Sequence, residues 1–106
     1  MQKTLAAFVL LSASVVPSFA ADAKAGHATY DKACKSCHGA SGTPNPAIAK
    51  MMKVEMKDLG SADIQSMSDA DLRTAIAEGK GKMKPVKTVS GAEADNVIAH
   101  IRTFKK

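Results

Sequence analysis

Cys34-Lys35-Ser36-Cys37-His38 places two thiols three positions apart, with a histidine directly after the second. This is the spacing that covalent attachment of a haem requires. Two thiols on one turn can add to the two vinyl groups of a single porphyrin, and the imidazole that follows is placed to reach its iron. The chain contains no other cysteine. Zinc would need two further ligands at finger-like spacing, which His27 and His100, the only other histidines, do not supply. A thioredoxin-like dithiol would need a strand before the pair and a βαβ pattern around it, and neither is visible. A plain disulfide stays open at this level.

Upstream of the motif, residues 1–20 read as a secretory signal. Lys3 supplies the positive n-region, Leu5 to Val16 the apolar stretch, and Ser18-Phe19-Ala20 a small-x-small cleavage site, so the mature chain is expected to begin at Ala21. An uncleaved anchor is the alternative, but the apolar run is shorter than the ~20 residues that span a bilayer. Export agrees with the motif, because in bacteria the thioethers form outside the cytoplasm. An oxidising compartment equally permits a disulfide. Residues 21–106 then form one domain, and the expected location is the periplasm or another exported compartment.

The mature domain is thin in core-forming residues. Phe8 and Phe19 leave with the signal, and Tyr30 and Phe104 are the remaining aromatics. So small a domain ordinarily needs a staple. Burying several hundred Å² of porphyrin would contribute on the order of 10 kcal/mol gross at ~25 cal/mol/Å². The full chain carries a formal charge of +5, and it stays positive once Lys3 is removed. A basic chain suits nucleic acid, an anionic membrane surface or an acidic protein partner. Export argues against nucleic acid.

Helical signals dominate after Ala21, giving an all-α chain of four helical stretches. The first starts at an Asp22 cap and runs through Gly26, Tyr30 and Ala33 into the motif. Turn formers from Gly39 to Pro46 make a loop. Asn45 and Pro46 form an N-cap and N1 pair for a short helix through Ile48, Ala49, Met51 and Met52 that ends near Glu55. Ser68-Asp69-Ala70-Asp71 is a capping box with Asp for Glu, ahead of Leu72, Ala75 and Ile76, and Gly79 ends that helix. Gly79 to Pro85 is an extended loop. Ser90-Gly91-Ala92-Glu93 reads as a second capping box before a helix whose face is Ala94, Val97, Ile98, Ile101 and Phe104.

Three features in order resemble a small single-haem class I c-type cytochrome over nearly the whole mature chain. They are Gly26, Tyr30 and Cys34 at four-residue intervals, then Cys34 to His38, then Gly79-Lys80-Gly81-Lys82-Met83 before a last helix. The resemblance implies a cytochrome c-like fold, with the first and last helices crossing at Gly26 and Tyr30 and loops wrapping one covalently bound haem c. It also implies Cys34 and Cys37 as the thioether residues and His38 as the proximal iron ligand. The other ring nitrogen of His38 would donate to a loop proline carbonyl, Pro46 in preference to Pro44.

By the same resemblance the opposite iron ligand is a methionine. Met51, Met52, Met56, Met67 and Met83 compete, with His100, His27 or an open position as further options. Met83 is preferred because its glycine-rich loop can drape across a haem face. Met51, Met52 and Met56 read as core or haem-edge residues, and Met67 reads as a hydrophobic staple toward Leu72. Two departures from the family pattern stand out. Lys84 intervenes between Met83 and Pro85, and His100 occupies a place where an aromatic is common.

A closed His38/Met83 iron has no position for a substrate, so the implied function is one-electron transfer by a monomeric exported carrier rather than an enzyme. The rival is a haem enzyme or gas sensor with an open or displaceable distal ligand. Lys35, Lys80, Lys82, Lys84 and Lys87 read either as a positive rim for an acidic redox partner or as ordinary solvated lysines.

Overall fold

Asp22 begins the first helix, since its carboxylate accepts from the backbone N–H groups of Lys24 at 2.9 Å and Ala25 at 3.2 Å. Two of the donors that a helix start leaves without partners are satisfied in this way. The computed structural model describes residues 21–106, and the secretory segment read at 1–20 lies outside the described residues. The described chain is all-α, with helices α1 (Ala23–Ala33), α2 (Lys35–His38), α3 (Pro46–Met52), α4 (Ala62–Gln65), α5 (Asp69–Glu78) and α6 (Ala92–Arg102). Among the described residues the only β feature is an isolated bridge between Lys80 and Met83.

Helices α1 and α6 cross at Gly26, as the resemblance implies. A Cβ on Gly26 would run into the carbonyl of Asn96 and the backbone of Val97, so the missing side chain is what lets the two backbones meet. The Asp22 N–H donates to the Asn96 side chain at 2.8 Å beside the crossing. One turn further along α1, Tyr30 is fully buried against α6, which buries Ala94, Val97, Ile98, His100 and Ile101. Leu72 and Ile76 from α5, with Val89 from the loop before α6, complete the core. Each large aliphatic side chain buried there contributes about 2 kcal/mol.

The capping of α5 follows the sequence. Ser68 Oγ accepts from the Asp71 N–H at 3.0 Å, and the Gly79 N–H closes the far end on the Ala75 carbonyl at 2.9 Å. Met67 packs against the core cluster that contains Leu72, as a staple requires.

Four expectations need correction. The first helix does not run on through the motif, because Cys34, at φ −124°, separates α1 from α2. Helix α3 stops at Met52 rather than near Glu55, because Lys53 turns left-handed at φ 54°. Helix α4 was not foreseen. The Ser90 box does not form, and Gly91, at φ 57°, is the N-cap of α6 without any side-chain cap. The Glu93 N–H instead reaches the Ser90 backbone carbonyl at 3.2 Å.

Long polar side chains stitch α4 into place. Gln65 Nε2 donates to the carbonyls of Leu59 and Ile101 at 2.8 and 3.0 Å. Arg102 donates to the carbonyls of Gln65 and Met67 and to the Asp69 carboxylate.

His100 packs as an aromatic would. Its ring lies edge-on to Tyr30 and Phe104 and stacks on His27, with centroids 4.5 Å apart. Its Nε2 is buried without a hydrogen-bond partner. Burial holds this imidazole below the usual histidine range, His27 adds to the effect, and Asp31 opposes it. The unfolded chain therefore takes up the proton first as pH falls, so the stability is present above about pH 6.5 and lost below it. We expect the melting temperature to drop on acidification from about pH 7.5 to 5. His100→Phe, which keeps the packing, should flatten that profile, and an unchanged slope would assign the pH dependence elsewhere.

Candidate functional site

Helix α2 is four residues long and carries the whole Cys-x-x-Cys-His motif with its cap. The His38 N–H donates to the Cys34 carbonyl at 2.9 Å, so the first thiol residue and the histidine share one turn. Both cysteines are half-buried free thiols. Burial, reinforced by Cys37, pushes the Cys34 thiol up to about 11. Cys34 is therefore held as a thiol at neutral pH and is a poor attacking group for a disulfide with its neighbour.

Two residues outside the motif fix its position. The Tyr30 hydroxyl donates to the Gly39 carbonyl at 2.7 Å, tying the residue after His38 to the core. Burial raises the phenol well above its ordinary pKa, with Cys34 the next contributor, so this donor keeps its proton. Asn45 is the second. Its backbone N–H donates to the Cys37 carbonyl at 2.9 Å, its Nδ2 donates to the Ser36 carbonyl at 3.2 Å, and its Oδ1 caps α3 by accepting from the Ala47 N–H. The sequence marked Asn45 as a cap and Tyr30 as a packing residue. Their bonds to the motif cross nine residues or a loop, and no spacing rule signals them.

Burial keeps His38 below the normal histidine range, so its ring is neutral at pH 7. Its Nδ1 is buried and has no hydrogen-bond partner. The expected donation to the carbonyl of Pro46 or Pro44 is thus not made, and the bonds that tie this loop to α2 come from Asn45 instead.

Met83 lies on a tight hairpin. Lys80 and Met83 exchange two backbone hydrogen bonds of 3.0 Å. Gly79, at φ 78°, permits the turn, and a Cβ there would strike the Met83 carbonyl. The Val86 N–H ties the base of the loop to the Ile76 carbonyl of α5 at 2.8 Å. At the tip, Lys82 Nζ donates to the Met52 carbonyl of α3 at 2.7 Å. The hairpin is therefore linked to α3, which begins at the same Asn45 that holds α2. Cys34, Cys37 and His38 are brought together on one turn, and Met83 stands on a separate loop. Of the competing methionines, Met51 is 70% exposed, Met52 and Met56 are half-buried, and Met67 belongs to the core edge.

A haem fits this donor set on three observations. The two thiols are free, the histidine is neutral with Nδ1 spent on no protein group, and α2 and α3 bury no residue of their own. Helix α3 nevertheless carries Ile48, Met51 and Met52, apolar side chains that an apolar cofactor would cover. Among the described residues no cluster of three or more His, Cys, Asp or Glu side chains could hold a bare metal ion. Lys35, Lys80, Lys82, Lys84 and Lys87 are exposed and form no ion pair among the described residues.

Comparison with known proteins agrees with the geometry. Residues 21–101 match the family model described as cytochrome C oxidase, cbb3-type, subunit III. The fold is similar to that of a solved c-type cytochrome, KustC0563, with a TM-score of 0.65 and 28% sequence identity over 76% of this chain and 98% of that one. No curated protein matches the chain.

Proposed function

Because this chain belongs to the c-type cytochromes, in the family described as cytochrome c oxidase, cbb3-type, subunit III, we propose that it is an exported one-electron carrier whose single haem c is ligated by His38 and Met83. The observation that carries this reading is the single turn that brings two free thiols together with the His38 imidazole. Cys34 and Cys37 would form the thioethers, and His38 would hold the iron through a ring nitrogen. Bound haem supplies reversible one-electron chemistry at its iron. Met83, a soft and weak donor, would favour the reduced state relative to a second histidine. Tyr30 and Asn45 keep α2 fixed, so little of the protein has to rearrange when the charge changes.

Two measurements test the proposal. Purified protein should retain haem after denaturation, as thioether attachment requires. The ferric protein should show the weak far-red absorption of sulfur-to-iron ligation, and Met83→Ala should abolish it while the haem stays attached. Absence of the band from the intact protein would replace this reading with the open-site haem enzyme or sensor.

The sequence reading of 1–20 as a cleavable signal supports export, and no helix of the described residues is long and apolar enough to cross a membrane. The mature carrier is proposed to act as a monomer. The unpaired lysines around the hairpin support docking to an acidic face of a redox partner. Transfer rates should then fall as ionic strength rises, and rates that stay level or increase would remove the steering role.

A further inference from the structure

We propose that Lys82 is a positioning residue, a latch that holds the Met83 hairpin against α3. The inference rests on the reading of Met83 as the iron ligand. A seven-residue helix leaves its last carbonyls without intrahelical partners. In α3 the N–H groups of Lys53 and Val54 turn back to satisfy Lys50 and Ala49. Met52 lies beyond their reach, and its carbonyl accepts from the Lys82 ammonium at 2.7 Å.

The hairpin has few other constraints at that end. Gly79 and Gly81 both stand at positive φ, and the Lys80–Met83 pair closes the turn only on itself. Its base is fastened to α5 through Val86. Among the described residues, the Lys82 bond is the one hydrogen bond from the hairpin tip to another helix. It spans thirty positions of sequence and sits directly beside Met83. The side chains of Lys80, Lys84 and Lys87 form no hydrogen bond among the described residues, so charge alone does not distinguish Lys82.

A latch of this kind sets how often Met83 yields its place to another ligand. One hydrogen bond from a charged donor to an exposed carbonyl shifts such an equilibrium about fivefold. The experiment is imidazole titration of the ferric, haem-loaded full-length protein, together with loss of the far-red band on heating. Lys82→Met should raise apparent imidazole affinity about fivefold and lower the temperature at which the band disappears. Lys82→Arg keeps a donor and should match the wild type. Lys80→Met removes the same charge from the same loop without touching α3, and should also match it.

Equal behaviour of Lys82→Met and Lys80→Met, or wild-type affinity in Lys82→Met, would overturn the latch. These outcomes are separable from failure of the ligand reading, which shows itself as a far-red band that persists in Met83→Ala.

Discussion

Replacing Gly26 by leucine should abolish cooperative folding. The first atom of any side chain at this position meets the Asn96 carbonyl, which is backbone and belongs to α6. No rotamer change relieves that collision, so α1 and α6 must separate, and Tyr30 and Val97, both fully buried at this crossing, lose their packing. The expected cost exceeds about 4 kcal/mol, a large share of the stability of a small domain. Gly26→Ala is the sharper measurement. Helix propensity alone would favour alanine by about 1 kcal/mol, so a net loss of about 2 kcal/mol in urea denaturation isolates the packing term. A stabilised alanine variant would mean that the helices cross less closely than described.

The second large effect is expected in the Cys34→Ala, Cys37→Ala double variant. Denaturation should release all haem, and circular dichroism should show clearly reduced helicity. The buried apolar core is small, built from Tyr30, Leu72, Ile76, Val89, Ala94, Val97, Ile98 and Ile101, and α2, α3 and α4 add no buried residue to it. Covering a porphyrin would supply on the order of 10 kcal/mol gross, comparable with the whole stability of an ordinary domain of about 5–15 kcal/mol. Full native helicity in the double variant would show that the polypeptide core suffices unaided.

Much of this architecture was legible because its signals are local. Asp22, Asn45 and Ser68 each cap a helix where the sequence placed one, and Gly79 ends α5 with the positive φ that glycine tolerates. Ala94, Val97, Ile98 and Ile101 on α6 followed from helical spacing, whereas Phe104, expected on the same face, lies in the turn past the helix end and packs on the core from there. The Ser90 box failed for a physical reason: Gly91 turns to φ 57°, so the Ser90 carbonyl, not its hydroxyl, meets the Glu93 N–H. Helix α4 was missed because four residues are too few to show a period. The left-handed Lys53 was hidden because glycine or asparagine is the usual marker of that turn.

At the site, the motif itself announced Cys34, Cys37 and His38. The bonds from Tyr30 to Gly39 and from Asn45 to Ser36 and Cys37, and the isolation of His38 Nδ1, depend on which loops meet in space, and composition carries no trace of that. Met83 entered through a loop pattern shared with other cytochromes. The tie from Lys82 to Met52 joins residues too far apart in sequence for any pattern to pair them.

The one-sided placement of the core divides the chain by the cost of local opening. Before haem covers α3, backbone amides of α1 and α6 around Tyr30 and Val97 should exchange with solvent deuterium only when the whole domain opens, whereas those of α3 and the Lys80–Met83 turn lie in segments that bury no side chain fully and should open separately. Haem attachment would then stiffen the more yielding half of the molecule, while the helix pair supplies an unyielding frame from the start. A single protein would thus combine two mechanical regimes, with α2, pinned by Tyr30 to one and by Asn45 to the other, as the boundary between them.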